Sequence, residues 1–534
     1  MRAQDYQISA EKFVFRSSDV AIHDQKLETK PVTFLRDAFN RFTRNKGSIF
    51  AFFVIMILVL FAIVGPFVSP YAISYEDINY ANARPKLELM AKLGIPFWDG
   101  GRSITDTNET TYNYYRSIEK ELGSTIIMES VPVESRTEKY VGKTFSFYTF
   151  RLDTYAAVGA EWVDLSDEEY KALQQYQDAN GEQIIYPYVN KQHKETTGAN
   201  GETIPPNIAQ QDANDANFWY KTKVGAGNKT EVVYNKKTGE VIPDYMPDNG
   251  KDNYTSMLFE DGGKTVAEGG TKEYTYAVNK SGRWYVRVDY AKYYAYKHAG
   301  DRFSSASHIF GADGTGRDVF VRLSSGARFS FILAVIVSSF NLFVGAIYGA
   351  IEGYYGGKVD LIMERIIDLL ASIPFMIVIT LLKYYLKTSD MVILFISFFL
   401  TGWTGMAGRT RMQFYRFKNQ EYVLVAKTLG AKDSRVMFKH IFPNAIGTLI
   451  TGSVLVIPGV IFSETSLSYL NIIDLNGPNM TSVGTMLSKG QGALYTNPHI
   501  LLFPAIFISL LMLSFNLFGN GLRDAFNPSL RGTE

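Results

Sequence analysis

The stretch IFAFFVIMILVLFAIVGPFV, residues 49–68, carries no charged side chain over 20 consecutive positions. A helix of about 20 apolar residues crosses roughly 30 Å of hydrocarbon, so this stretch predicts a transmembrane helix. It does not fit a signal peptide, because 48 residues precede it and no small-residue cleavage site follows Gly65 and Pro66. The fold class is therefore set by this stretch: a membrane protein rather than a soluble domain.

Five further apolar runs follow in the second half of the chain. Their bounds are Ser330–Ile351, Ile366–Leu382, Met391–Gly408, Ile441–Ser463 and Ile500–Leu522. Asp368 and Pro374 interrupt the run that begins at Ile366, which makes it the weakest of the five. Together with residues 49–68, these runs predict an α-helical membrane protein with six transmembrane helices.

Lysine and arginine residues near the ends of the predicted spans indicate the orientation of the chain. With the N-terminus in the cytosol, sixteen of them lie on cytosolic flanks and six on outer flanks, so we expect both termini to be cytosolic. Arg317, Arg322 and Arg328, which precede the second span, run against this rule. In the N-terminal segment, residues 1–47, which we expect to be cytosolic, apolar residues recur at helical spacing over 34–44, and arginines lie between them. This pattern predicts an amphipathic helix in the membrane interface, or else an ordinary soluble helix.

The overall composition excludes several classes of function. The chain has 534 residues with 54 Lys and Arg against 53 Asp and Glu, which argues against a nucleic-acid-binding protein. It has no cysteine, so thiolate metal sites and a cysteine nucleophile are impossible. The six histidines do not approach metal-ligand spacing. We therefore predict no catalytic residue, no metal site and no bound cofactor, and a chain that is not itself an enzyme.

After the first transmembrane helix, placed at residues 48–72, the composition changes. Residues 73–304 are rich in Tyr, Gly and Asn, and no run among them could cross a membrane. The alternation in Lys143–Leu152 predicts a strand, and Glu273–Val288 predicts a hairpin. A capping box that begins at Ser166 predicts a helix ending near Gly181. With the orientation above, residues 73–304 are predicted to form an extracellular α+β insert.

The remaining residues, 305–534, contain the other spans and a basic cytosolic loop at 409–444. Within this loop Glu421–Leu429 predicts a helix that Gly430 ends, and Asp433–His440 predicts a second helix closed by Pro443. The first helix is apolar over much of its surface, which is unfavourable in water unless another surface covers it. Either it docks into a groove on a cytosolic protein or it packs on its own transmembrane bundle.

The order A-K-x-L-G-A-x-D followed by H-I-x-P-N, at 426–444, resembles the coupling loop of ABC-importer permeases, whose helix docks on the ATPase subunit. Leu424, Val425 and Ala426 stand where that family has Glu-Ala-Ala, so two of its three name-giving residues differ. The residues predicted to couple to the ATPase are Glu421, Tyr422, Leu424, Val425, Ala426, Leu429, Gly430, Ala431, Asp433, His440 and Pro443.

Further stretches narrow the resemblance to the C-type permease subunit of oligopeptide and dipeptide ABC importers. They are HIFGADGTGRD at 308–318, GYYGG at 353–357, ETSLSYL at 464–470 and NLFGNGLRD at 516–524. The resemblance implies a type I importer fold, a second permease subunit and two cytosolic ATPases that bind ATP and magnesium. It also implies an extracellular substrate-binding lipoprotein, a peptide substrate and a location in the plasma membrane. Alternatives are a dipeptide or nickel permease of the same family, or a membrane-anchored receptor whose ectodomain is the active part.

Two groups of residues outside the loop are candidate functional residues. Glu464, with Ser466, lies at the outer end of the fifth span, where an ionisable group is costly and often functional. It either shapes the outer gate or binds the N-terminus of the peptide, or else it holds the following turn by a hydrogen bond. Asp313, Arg317 and Asp318 precede the second span. They either dock the extracellular binding protein or form an ion-pair cluster within the chain.

Overall fold

The computed structural model describes residues 34–182, 184–186, 283–301 and 304–526, together with six short strands between residues 196 and 280. The first two described elements are helix α1, Phe34–Arg44, and helix α2, Lys46–Val68. The side chain of Asn45 caps α2 by accepting a hydrogen bond from the backbone of Ser48 at 3.2 Å. The helix predicted ahead of the first span is thus present, and it packs on the last helix of the chain through Phe42 and Phe518.

The insert mixes short helices and antiparallel sheets. Its helices are α3 (Glu88–Lys92), α4 (Glu109–Leu122), α5 (Asp167–Asn180) and α6 (Tyr290–Lys297). Its strands are β1 (Gly101–Asn108), β2 (Glu134–Tyr140), β3 (Lys143–Asp153), β4 (Ala160–Ser166), β5 (Ile185–Tyr186), β6 (Thr196–Thr197), β7 (Thr203–Ile204), β8 (Tyr254–Ser256), β9 (Phe259–Glu260), β10 (Thr265–Val266), β11 (Thr275–Lys280) and β12 (Arg283–Asp289).

Two sheets organise the insert. One has the order β1-β3-β2, and the other has the order β4-β12-β11-β8 with β5 also paired to β12; β6 with β7 and β9 with β10 form separate pairs. The predicted strand at 143–152 is β3, and the predicted hairpin is β11 and β12, in which Ala277 lies opposite Val286. The capping box of α5 is formed as predicted, with Gly181 in the left-handed conformation at its end. The described residues of this part of the chain thus contain both helices and antiparallel sheets.

The rest of the chain is helical. Its helices are α7 (Val319–Tyr355), α8 (Gly357–Ala371), α9 (Phe375–Leu386), α10 (Asp390–Thr401), α11 (Thr404–Phe417), α12 (Glu421–Thr428), α13 (Asp433–Arg435), α14 (Phe442–Val454), α15 (Val456–Tyr469), α16 (Val483–Gln491) and α17 (His499–Phe526). Among the described residues, five helical segments are long and apolar enough to cross a membrane. A sixth span exists only if α8 and α9, which meet at 75°, are counted as one bent span. The break lies at the predicted weak point, next to Pro374.

The insert is joined to the helical part by backbone hydrogen bonds. The N–H of Lys86 donates to the carbonyl of His308 at 2.8 Å, and the N–H of Ala312 donates to the carbonyl of Ala83 at 2.9 Å. The Arg84 guanidinium donates to the carbonyl of Thr496, just before α17, at 2.8 Å. The insert is thus fixed to two connections on the same side of the helical bundle.

Helices α7 and α11 approach each other along a stripe of glycines. Gly345, Gly349 and Gly353 are spaced four residues apart on one face of α7, where a Cβ atom on any of them would collide with α11. On Gly345, for example, that atom would lie 2.8 Å from the carbonyl oxygen of Trp403. Small residues at such spacing let two helix backbones pack closely inside a membrane. This contact sets the position of α11 and of the loop that follows it.

We predict that Gly349→Leu lowers the stability of the purified chain by about 1–3 kcal/mol or more, because the side chain has no room against Ala407 and Thr410. Thermal unfolding in detergent measures this loss. Gly405→Leu is the matched control, since nothing lies within 4 Å of a Cβ at that position. Equal stability losses for the two variants would contradict the close packing of α7 and α11.

Candidate functional site

The loop that connects α11 to α14 reverses direction at Gly430. This residue has φ +82°, a left-handed conformation that side chains other than Gly and Asn seldom adopt. Its N–H donates to the carbonyl of Lys427 at 3.0 Å, and the N–H of Ala431 donates to the carbonyl of Ala426 at 3.0 Å. Nothing lies within 4 Å of a Cβ at position 430. The backbone angle, not a lack of space, therefore requires glycine there.

Helix α12 has one buried side and one exposed side. Val423 is fully buried within a cluster that includes Phe414 and Ile441, and Ala426, three residues later, is also buried. The exposed apolar residues are Tyr422, Leu424, Val425 and Leu429, and the Leu429 side chain is 82% exposed. Packing on the chain's own bundle thus accounts for only part of this apolar helix, and the rest faces out of the chain as the coupling face (Tyr422, Leu424, Val425, Leu429).

The end of α7 holds this loop in place. The hydroxyl of Tyr354 donates to the Asp433 carboxylate at 2.5 Å, and the Lys427 ammonium lies 4.7 Å from the centre of the same Tyr354 ring. A cation over an aromatic face is an attractive contact. Tyr354 was not among the predicted site residues, although it belongs to the GYYGG stretch that carries part of the family resemblance. It connects the long α7 helix directly to the reversal at Gly430.

A cluster of charges lies beside the loop. Arg411 makes a two-pronged hydrogen bond to Asp360, at 2.6 and 3.0 Å, and lies 3.4 Å from Glu352 and 3.5 Å from Glu364. Such bidentate guanidinium–carboxylate pairs fix geometry as well as charge. Because the four residues belong to α7, α8 and α11, the cluster ties these three helices together at the end that carries the coupling face.

The second helix of the loop differs from its prediction. It begins at Asp433 as expected, but Pro443 does not close it. A π-helical turn, Val436–Ile441, follows α13, and Pro443 lies in the first turn of α14. At such a position the missing N–H of proline costs little, and a π turn before it keeps the chain helical. His440 therefore lies on a continuous helix rather than at the end of a short one.

Glu464 is completely buried between helices. The hydroxyl of Ser330 donates to one carboxylate oxygen at 2.9 Å, and the hydroxyl of Ser468 donates to the other at 3.1 Å. The carboxylate thus joins α15 to α7 and to its own following turn. The structure favours the structural alternative over a gate residue for Glu464. Ser466 contributes its carbonyl to the same turn, accepting from the N–H of Leu470 at 3.0 Å.

Asp313, Arg317 and Asp318 all have partners within the chain. Asp318 is buried, caps α7 by accepting from the N–H of Val321 at 2.7 Å, and contacts His308 Nδ1 at 2.9 Å. The Arg317 guanidinium pairs with the Glu76 carboxylate at 2.7 Å. Asp313 accepts the N–H of Arg317 at 3.0 Å. These contacts favour the intrachain cluster over a docking surface.

Among the residues that the structure describes, no group of His, Asp and Glu could hold a metal ion. Acidic residues such as Asp318 and Asp360 are used in helix caps and ion pairs. The loop also exposes an apolar surface, the coupling face of α12. Its chemistry suits contact with another polypeptide rather than catalysis.

Comparison with known proteins gives matches to both ends of the chain. Residues 342–532 match the family described as the binding-protein-dependent transport system inner membrane component, and residues 33–85 match the N-terminal TM domain of oligopeptide transport permease C. The chain is 45% identical over 231 residues to the oligopeptide transport system permease protein OppC of Bacillus subtilis, covering 43% of this chain and 75% of that protein.

A second relative is the dipeptide transport system permease protein DppC of Bacillus subtilis, which is 41% identical over 228 residues, 42% of this chain and 70% of that protein. Among solved structures, a chain of the MetNI methionine ABC transporter in an inward-facing conformation aligns with 39% of this chain and 96% of that chain. Its sequence identity is 14% and its TM-score is 0.31. Neither family model extends over residues 86–341, which include most of the insert.

We predict that Glu464→Leu lowers the free energy of unfolding by about 1–3 kcal/mol, because it leaves the buried hydroxyls of Ser330 and Ser468 without an acceptor. Glu464→Gln, which keeps an acceptor oxygen of the same size, is the control and should lose less. Thermal unfolding of the purified chain measures both. A Glu464→Leu variant as stable as the parent would argue against the structural role.

Proposed function

The chain belongs to the family of binding-protein-dependent transport system inner membrane components, and on that basis we propose that it forms half of a translocation path for oligopeptides. Its several apolar helices make it a multi-pass membrane permease of the ABC-importer type. The preference for oligopeptides rests on the relative named as an oligopeptide permease, at 45% identity, against 41% for the dipeptide permease. Uptake of tetrapeptides and dipeptides by cells that carry this chain, measured in competition, tests that preference.

The observation that carries the proposal is the exposed coupling face of α12. Family membership makes the chain a permease, and permeases of ABC importers work with a second permease and with ATPase subunits. ATP and magnesium then bind to the ATPases, and this chain needs no cofactor of its own. The coupling face offers Val425 and Leu429 to such a partner, while Val423 anchors the helix to the bundle. Closure of the ATPases would push on this helix and so on α7, through the contact of Tyr354 with Asp433.

We place the insert on the outer side of the membrane and the loop 409–444 on the cytosolic side, following the distribution of positive charges. In this arrangement a substrate-binding lipoprotein delivers peptide next to the insert, which either contacts that protein or covers the outer mouth. Val141, 85% exposed in the β2–β3 hairpin, is a suitable reporter of the side. Labelling of Val141→Cys by a membrane-impermeant maleimide in intact cells supports the outer location, and absence of labelling until the cells are lysed would reverse it.

We predict that the double substitution Val425→Asp and Leu429→Asp reduces co-purification of the ATPase subunits by about tenfold or more, since it places two charges in a contact that excludes water. Pull-down of the assembled complex from membranes measures this. Val425→Leu with Leu429→Met keeps the face apolar and is the matched control. Unchanged ATPase recovery with the two aspartates would show that the coupling face is not the docking surface.

We predict that Gly430→Val leaves the chain in the membrane but uncouples ATP hydrolysis from peptide uptake, because a β-branched residue cannot adopt φ +82° without strain. Peptide uptake and ATPase activity, measured side by side in vesicles, separate coupling from expression. Gly430→Asn should behave nearly as the parent does, since asparagine tolerates the left-handed conformation. Normal uptake by the valine variant would count against a coupling role for the reversal.

A further inference from the structure

The insert carries an exposed apolar patch close to the transmembrane helices. It is formed by the short helix α3 and the residues after it, and consists of Leu89, Leu93 and Phe97, here called the α3 patch. Leu89 is 64% exposed and Leu93 is 67% exposed, and the Phe97 ring is exposed beside them. Several large apolar side chains exposed together on a domain mark a contact with another surface or with a membrane.

The α3 patch is amphipathic. Leu89 and Leu93 are four residues apart and therefore lie on one side of the turn. Glu88 and Lys92, one position earlier in each case, lie next to them and are exposed. The Glu88 carboxylate accepts a hydrogen bond from the Ser305 hydroxyl at 3.0 Å, which holds the polar side of the turn on the connection that leads to α7.

Ring contacts attach the α3 patch to a transmembrane helix. The Phe97 ring lies 5.8 Å from the Phe503 ring of α17, and Phe503 in turn stacks on Phe310 at 3.9 Å. The indole N–H of Trp98 donates to the carbonyl of Ile309 at 2.9 Å. The patch is thus fixed at the side of α17, at the fifth residue of that helix.

The exposed side of α17 continues from the α3 patch as an apolar stripe. The exposed residues recur every three or four positions and are Leu502, Ile506, Leu510, Leu513 and Leu517. The helix has 28 residues, so it is about 42 Å long and exceeds the hydrocarbon thickness of roughly 30 Å. Part of the helix therefore extends beyond the hydrocarbon, and the contact with Phe503 places the α3 patch beside the first turns, at the end of the helix nearest the insert.

We propose that the α3 patch is embedded in lipid: it inserts Leu89, Leu93 and Phe97 into the acyl-chain boundary of the leaflet on the insert side. Continuity with the stripe on α17 supports lipid as the occupant. Lys92 is placed to extend its ammonium toward lipid phosphates, as basic residues at an apolar boundary do. The insert then touches the membrane at a second point besides its covalent connections. This proposal depends on the chain spanning a membrane and not on what it transports.

Depth-dependent quenching tests the proposal. Because the chain has no cysteine, Leu93→Cys gives a single site for an environment-sensitive fluorophore on the full-length chain. The labelled chain is placed in nanodiscs of phosphatidylcholine and phosphatidylglycerol. Replacing the phosphatidylcholine by a form brominated near the top of the acyl chain should lower the fluorescence roughly twofold. This is the result expected for a label buried about 5–10 Å into the interface. Val141→Cys, also highly exposed but on the β2–β3 hairpin, is the matched control and should not be quenched.

Two results would overturn the proposal. In the first, the label at position 93 is quenched no more than the label at position 141, both in the chain alone and in the assembled complex. The other is quenching that disappears when the second permease subunit or the binding protein joins, because a polypeptide then covers the patch. Leu89→Cys repeats the measurement on the same side of the turn and guards against a local distortion at position 93. Loss of peptide uptake, by contrast, would bear on the proposed function and leave the quenching result unaffected.

Discussion

The close contact between α7 and α11 is the interaction on which the rest of the helical part depends. Three glycines on α7 bring the two backbones together, and Arg411 on α11 then reaches Asp360 and Glu352 on the neighbouring helices. α7 is 37 residues long; it begins at the insert side with the Asp318 cap and ends at Tyr355, one residue after Tyr354, which holds the loop. A single rigid element therefore connects the insert side of the bundle to the coupling face.

Buried polar side chains also hold the helices of this bundle together. Inside a membrane every buried donor and acceptor needs a partner, so a carboxylate such as Glu464 is kept only where hydroxyls surround it. Its two serine partners come from α7 and from its own helix, which locks α15 against α7. On the insert side, His308 and Asp318 play the equivalent part. The ionisable residues that look functional in the sequence are in this way explained by the architecture.

Local signals predicted much of this structure, and tertiary packing decided the rest. The capping box at Ser166, the reversal at Gly430 and five of the six apolar runs depend on neighbouring residues and are found where the sequence predicts them. The sixth run, at 366–382, is divided by a 75° bend. Pro443 was misjudged, because a proline is a helix terminator or a tolerated first-turn residue depending on the turn before it. Ser330, one of the two partners of Glu464, is 134 residues away on α7, so composition and spacing could not assign it.

The surface of α12 indicates what kind of contact the proposed coupling to ATPase subunits would use. Val423 is used inside the bundle and the Lys427 ammonium lies over the Tyr354 ring, while Leu424, Val425 and Leu429 face outward. Leucine and valine stand where the family motif has glutamate and alanine, so this stretch of the contact has no carboxylate to offer. An apolar contact is weakly screened by salt, whereas an ion pair at a surface is strongly screened. In the proposed complex with the ATPases, the contact with α12 would therefore rest on shape and apolar burial, and its geometry on the fixed reversal at Gly430.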